Sequence, residues 1–173
     1  MELYEWGWIK KIPRIAVINA DGANTLDVLY NGKFENTELR WNKGNPDTKL
    51  IEDYYVKMNK DHIRPKTKAT AIQIGKPVNL LKGIRALEFT DGVVTTVTDK
   101  EMLDGMSIVG LNGFDCEMAS GAVPAGIKKL LNDNIMKKDD KIIGILTGRQ
   151  KEPLLPINYH NDPTNKFAKP PKR

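Results

Sequence analysis

Asp91-Gly-Val-Val-Thr-Thr-Val-Thr-Asp-Lys-Glu101 places three structural signals end to end. Asp91-Gly92 is a turn pair. Val93–Val97 is a β-branched run of the kind that suits a half-buried strand. Thr98 and Glu101 stand at capping-box spacing: the hydroxyl accepts a backbone N–H at a helix start while the carboxylate reaches back to the cap. The stretch therefore predicts turn, strand and helix in succession, the helix running from Lys100 to Val109 and ending at Gly110 or Gly113.

The same alternation extends in both directions. Upstream, Arg14–Ile18 reads as a buried strand, and Leu26, Leu29 and Tyr30 follow at helical spacing within Gly22–Tyr30. Asn31–Asp47 is polar, carries Gly32, Gly44 and Pro46, and reads as a long loop or insertion. Lys49–Asn59 has a helical period through Leu50, Ile51, Tyr54, Tyr55 and Met58. Pro65 and Pro77 bracket an irregular stretch, after which Val78–Phe89 predicts a helix with Val78, Leu81, Ile84 and Leu87 on one face. Downstream, Ala119–Asn132 is helical, with Pro124 expected in a first turn because proline lacks the N–H an interior needs. Ile142–Leu146 predicts a further buried strand. Strands alternating with helices argue for an α/β fold with a mostly parallel sheet and flanking helices.

A chain of 173 residues has room for one domain and can bury roughly 70% of its unfolded surface. Hydrophobic residues at 40% and charged residues at 28% are ordinary for a soluble globular protein. No apolar run approaches the ~18 residues of a membrane span, and the acidic, amphipathic start Met-Glu-Leu-Tyr-Glu-Trp is unlike a signal peptide. The expectation is a cytoplasmic protein that does not engage a membrane. One cysteine and two histidines exclude a disulfide framework and a zinc cluster. The net charge is +5, but residues 163–173 carry four basic groups and no acid, and without them it falls to +1. The excess thus belongs to a Pro-rich basic tail, 153–173, and a near-neutral body without interleaved aromatics argues against a nucleic-acid partner.

Several stretches invite a chemical reading and lose it on inspection. Gly121-Ala-Val-Pro-Ala-Gly126-Ile-Lys128 has nearly phosphate-loop spacing, yet a residue intervenes before the lysine and no hydroxyl residue follows it. Asp139-Asp140, among Lys137, Lys138 and Lys141, reads as a solvated turn. Cys116 sits between Asp115 and Glu117 with no cation to stabilise a thiolate, so it reads as a packed thiol. Thr147-Gly148 after Ile142–Leu146 is more informative. A hydroxyl at the carboxyl edge of a parallel sheet lies where α/β proteins bind ligands and can donate one hydrogen bond there, and the glycine admits close approach. A simple strand end is the alternative reading.

These segments together carry a family resemblance. Gly7-Trp-Ile-Lys-Lys-Ile-Pro13, Asn19-Ala-Asp-Gly-Ala-Asn24, Thr67-Lys-Ala-Thr-Ala-Ile-Gln-Ile-Gly75-Lys-Pro77, Asp91-Gly-Val-Val, Val97-Thr-Asp-Lys-Glu101, Gly113-Phe-Asp-Cys-Glu-Met-Ala-Ser-Gly-Ala122 and Leu146-Thr-Gly148 occur in the order of threonine synthase. The chain resembles the C-terminal half of that enzyme. Threonine synthase is a fold-type II pyridoxal-phosphate enzyme converting O-phosphohomoserine and water into threonine and phosphate. The resemblance implies that residues 1–152 are part of the larger domain of the tryptophan-synthase-β-like fold. It also implies pyridoxal 5'-phosphate as cofactor, with Thr147 opposite the pyridine nitrogen and Gly148 beside it. Thr67, Ala69 and Thr70 then belong to a loop against the ring's exposed face, and Glu117 and Ser120 to a helix start behind it. A neutral hydroxyl at that nitrogen tunes the ring differently from the carboxylate used in other pyridoxal-phosphate folds. Departures from the family pattern are Met118 for a usual proline, Pro124 for a small residue, Gln73 for arginine, and a shortened Arg149-Gln150-Lys151 loop.

No Ser-Phe-Lys-Asp-type segment carries a Schiff-base lysine, and the fourteen glycines are dispersed rather than clustered into a phosphate cradle. No catalytic residue is therefore assigned in this chain. The leading expectation is an enzyme half that needs the missing N-terminal half, or that self-associates through surface the whole enzyme would bury. The alternative is a non-catalytic fragment or binding module that keeps the fold.

Overall fold

The computed structural model describes residues 2–41, 44 and 46–149. The tail 153–173 lies outside the described residues. Two strands, β1 (Ala16–Ala20) and β2 (Val93–Val97), form one parallel pair. Val93 N–H donates to Ile15 O at 2.9 Å and Asp21 N–H to Val97 O at 2.9 Å. The odd-numbered residues of both strands therefore face each other, and the even-numbered ones turn their backbone groups outward. β2 falls where the sequence predicts it. β1 begins two residues later than expected and runs on to Ala20, whose carbonyl accepts from Ala23 N–H at 3.0 Å.

The chain divides into two compact units. The first comprises Met1–Val17, Asn24–Arg64 and Gly75–Thr95. It holds α1 (Glu2–Glu5), α2 (Thr25–Tyr30), α3 (Thr48–Lys60) and α4 (Leu80–Phe89). α3 starts where the Asp47 carboxylate accepts the Leu50 N–H at 3.1 Å, and Leu50, Ile51, Tyr54 and Met58 form its buried face. The core joins these to Leu29, Tyr30, Phe34, Leu39, Leu80, Ile84, Leu87 and Val94. Phe34 and Leu39 come from the stretch read as a polar loop, which thus contributes two core side chains. α4 begins at Leu80, later than expected, so Val78 is 98% exposed and the apolar face starts at Leu80. Gly92 is required by proximity: a Cβ there would lie 2.9 Å from Ile15 O and 2.6 Å from Leu87 Cδ2. Its neighbour Asp91 takes the left-handed conformation of the turn, φ 49°.

Among the described residues the second unit comprises Ile18–Ala23, Pro65–Ile74 and 96–149. Its helices are α5 (Asp99–Leu111) and α6 (Met118–Asn132), with a short 3-10 turn at Thr70–Ile72. The capping box at α5 forms as its spacing predicts. Thr98 Oγ1 accepts the Glu101 N–H at 3.2 Å, and Glu101 Oε2 accepts the Thr98 N–H at 2.7 Å. Pro124 lies within α6, six residues past its first residue, rather than in the first turn. Small residues around it let α5 approach closely: a Cβ on Gly105 would stand 2.1 Å from Gly121 O, and one on Gly121 2.2 Å from Met102 O. Ala20, Ala23, Ala69, Val97, Met102, Leu103, Met118, Ala122 and Ala125 form this unit's core.

The predicted strand Ile142–Leu146 is absent. Residues 141–149 have no regular secondary structure, and Ile142, Ile143, Ile145 and Leu146 are exposed. A strand requires a neighbouring backbone, and among the described residues the sheet has only β1 and β2. Among the described residues, no helix is long and apolar enough to cross a membrane.

Candidate functional site

Four of the seven predicted site residues converge where the chain after Leu146 meets the start of α6. Glu117, the residue preceding α6, donates its N–H to Gly148 O at 2.9 Å. Ser120, 2% exposed, accepts the Thr147 N–H at 2.9 Å and the Gly148 N–H at 3.4 Å on its Oγ. Thr147 Oγ1 donates to Glu117 Oε1 at 3.3 Å. An ionised carboxylate only accepts, so the direction of that bond is fixed.

The proton direction of the remaining contact follows. Ser120 Oγ and Thr147 Oγ1 are 3.4 Å apart. The threonine proton is already given to Glu117, so the serine proton points to Thr147, and the relay runs Ser120 to Thr147 to Glu117. What exposed Thr147 turns outward is a lone pair. In this arrangement the site offers an acceptor to a ligand, where the sequence led one to expect a donor. Gly148 is also used differently from expectation: a Cβ there would lie 2.3 Å from Glu117 Oε1, so its missing side chain makes room for the Glu117 carboxylate. Beside this network Arg149 Nε pairs with Asp115 Oδ2 at 3.0 Å on the surface.

The other three residues form a separate turn. Thr67 Oγ1 donates to Asp99 Oδ1 and accepts the Ala69 N–H at 3.1 Å. The Lys68 N–H reaches both Asp99 oxygens, at 3.2 and 3.0 Å. Ala69 is buried in the second core with Met118 and Ala122, while Thr70 is exposed. Asp99, the first residue of α5, therefore holds the Thr67–Ala69 turn, and the sequence reading passed over it. The acid at a helix start was visible, but its partners lie more than thirty positions away.

Cys116 is buried, and burial, then Asp115 and Glu117, push its thiol above the ordinary value of 9.0. It is a packed, protonated thiol. Asp140 Oδ2 accepts the Lys137 N–H at 2.8 Å, closing the acidic pair into a turn.

Fold and site together define an α/β protein with a parallel strand pair, flanking helices and a hydroxyl held in a carboxylate-anchored network. In sequence it is similar to threonine synthases. The threonine synthase of Methanocaldococcus jannaschii is 32% identical over 162 residues, covering 91% of this chain and 34% of that protein. The threonine synthase of Methanosarcina acetivorans is 37% identical over 102 residues, 58% of this chain and 25% of that protein. Threonine synthase 2, chloroplastic, of Arabidopsis thaliana is 25% identical over 166 residues, 95% of this chain and 28% of that protein. The chain thus spans about a third or less of the length of the curated relatives it matches. No protein-family model matches it.

Proposed function

We propose that this chain is the C-terminal part of a threonine-synthase-like, pyridoxal-phosphate-dependent enzyme of fold type II. In this reading it acts with polypeptide that supplies the Schiff-base lysine and the phosphate-binding loop. The observation that carries the proposal is the orientation of Thr147 by Ser120 and Glu117, in a chain 32% identical over 162 residues to a threonine synthase. The arrangement suits one end of the cofactor: a neutral oxygen, fixed from two sides and offering a lone pair, would accept from a ring nitrogen that carries a proton. When bound, the cofactor would supply an electron sink for chemistry on O-phosphohomoserine. This chain's share is to hold that nitrogen at Thr147, and to keep the hydroxyl from rotating through Glu117. The Thr67–Ala69 turn, tied down by Asp99, is the second element assigned to the ring.

The test mixes the chain with the part of a threonine synthase that it does not match, pyridoxal phosphate and O-phosphohomoserine, and measures threonine and phosphate release. The chain alone is expected to be inactive, because covalent catalysis on this cofactor needs an amine in the right place. Activity is expected in the mixture, and Thr147→Ala is expected to weaken cofactor retention about fivefold, the worth of one hydrogen bond of about 1 kcal/mol. A mixture that assembles and retains cofactor without turnover would favour a non-catalytic module that keeps the fold.

A further inference from the structure

Residues 142–146 are not a strand, yet they alternate like one. Ile142 and Leu146 are 38% and 42% exposed, whereas Ile143 and Ile145 are 90% and 71% exposed. Between them Gly144 faces α6, where a Cβ would lie 2.7 Å from Val123 Cγ1 and 3.8 Å from Ile127 Cδ1. An exposure that alternates with period two, with Gly144 seated on the helix, is the geometry of a strand laid on its supporting layer. Only a neighbouring backbone is missing.

The two-strand sheet has one edge closed and one open. Val94 and Thr96 turn their backbone away from β1, and side chains occupy their carbonyls: Asn31 Nδ2 donates to Val94 O at 3.1 Å and Lys129 Nζ to Thr96 O at 2.7 Å. Side chains plugging an edge oppose strand addition there. On β1 the outward residues in this unit are Ile18 and Ala20; the Ala20 carbonyl accepts from Ala23 N–H, and among the described residues no strand covers Ile18. Ile18 packs on α6 at Gly126, where a Cβ would meet its Cδ1 at 2.4 Å. Gly126 lies on the helix face between Val123 and Ile127, the residues beneath Gly144. β1 and Ile142–Leu146 therefore rest on one face of α6 with no ladder between them.

We infer that this juxtaposition is a slot for a single apolar β-strand, which pairs on one side with Ile18 of β1 and on the other with Ile142–Leu146. The occupant is a strand from the part of a threonine-synthase-like polypeptide that this chain does not contain. That choice rests on the function proposed above and on two facts: among the described residues the sheet has only two strands, with Ile142–Leu146 lying unpaired on the same helix, and the chain spans about a third or less of its relatives. Filling the slot makes Ile142–Leu146 a sheet strand and fixes Thr147 at its carboxyl end.

The experiment uses the full chain and, as probe, the portion of the Methanocaldococcus jannaschii threonine synthase outside the matched region, made as a separate polypeptide. Backbone amide exchange and affinity are measured. On complex formation the Ile18 amide and alternate amides of 142–146 are expected to slow about a hundredfold or more. Ile143→Pro and Ile145→Pro each remove a backbone donor while leaving Gly144 on α6, and are expected to weaken the complex at least about tenfold. Ile143→Thr keeps the donor and is expected to bind within about twofold of the parent. A complex in which these amides exchange as before, or which the proline variants form equally well, overturns the slot and leaves the proposed function standing. Failure to form any complex overturns both. Concentration-dependent protection of these amides in the chain alone identifies a second copy as the occupant and overturns the one named here.

Discussion

The two units solve the same packing problem with different materials. In the first, large side chains fill space: Leu29, Leu39, Ile84 and Leu87 are essentially inaccessible, and Phe34 meets Tyr54 edge-on with ring centroids 5.2 Å apart. In the second, five of the nine core residues are alanine, and the helices touch through backbone at Gly105 and Gly121. A core made of volume is weakened by losing atoms. A core made of proximity is weakened by gaining them. The difference also bears on function, because the small-residue unit holds Ser120, Thr147 and the open slot beside α6, while the large-residue unit has its buried carboxylate, Asp27, paired with Lys33 at 2.6 Å.

This contrast is broken most directly by opposite substitutions. Ile84→Ala, at a fully buried site in the first core, is expected to cost about 3 kcal/mol of unfolding free energy. Gly121→Ala adds one methyl where Met102 O and Met106 Cγ already stand 2.2 and 2.8 Å from the new atom, and is expected to cost about 2 kcal/mol. Urea denaturation gives the totals, and native-state amide exchange locates them. Faster exchange is expected in α3 and α4 for the first variant and in α5 and α6 for the second. Equal acceleration everywhere for both would show that the units unfold as one and that the contrast in materials has no energetic counterpart.

The same contrast decides what could be read in advance. Elements defined by their own residues were legible: β2 and the capping box of α5 fall where spacing put them, and α3 differs from the expected helix by one residue at each end. Elements defined by partners were not. Ile142–Leu146 has every local mark of a strand, but pairing belongs to a neighbour that the described residues lack. Pro124 sits inside α6 because the helix continues through the small residues on either side, which intrinsic preference argues against. At the site, the residue types were visible and their wiring was not. That Thr147 gives its proton to Glu117, that Gly148 accommodates that carboxylate, and that Asp99 ties down Thr67 and Lys68 all depend on contacts between segments more than twenty-five residues apart.

The smallest effect sharpens the comparison at the two helix starts. α3 is capped by one carboxylate bond from Asp47, whereas α5 has the reciprocal Thr98–Glu101 box. Burial alone would raise the Glu101 carboxyl, but the Thr98 backbone and hydroxyl bonds, aided by Lys129 and Lys128, outweigh it and hold the group below its ordinary value of 4.5. A carboxylate with a depressed folded-state value contributes its stability in full above the ordinary value and loses it as pH falls through the folded one. Glu101→Gln keeps the capping geometry and removes the charge from the helix N-terminus, so it is expected to cost about 0.5 kcal/mol at pH 7. The gap to the parent should stay constant above the ordinary value, begin to close as pH falls through it, and vanish once pH lies below the folded-state value. Paired urea titrations across that range measure it. A gap that persists in acid would assign the effect to packing of the side chain, and α5 would then start, like α3, on hydrogen-bond geometry with no contribution from the charge of its third residue.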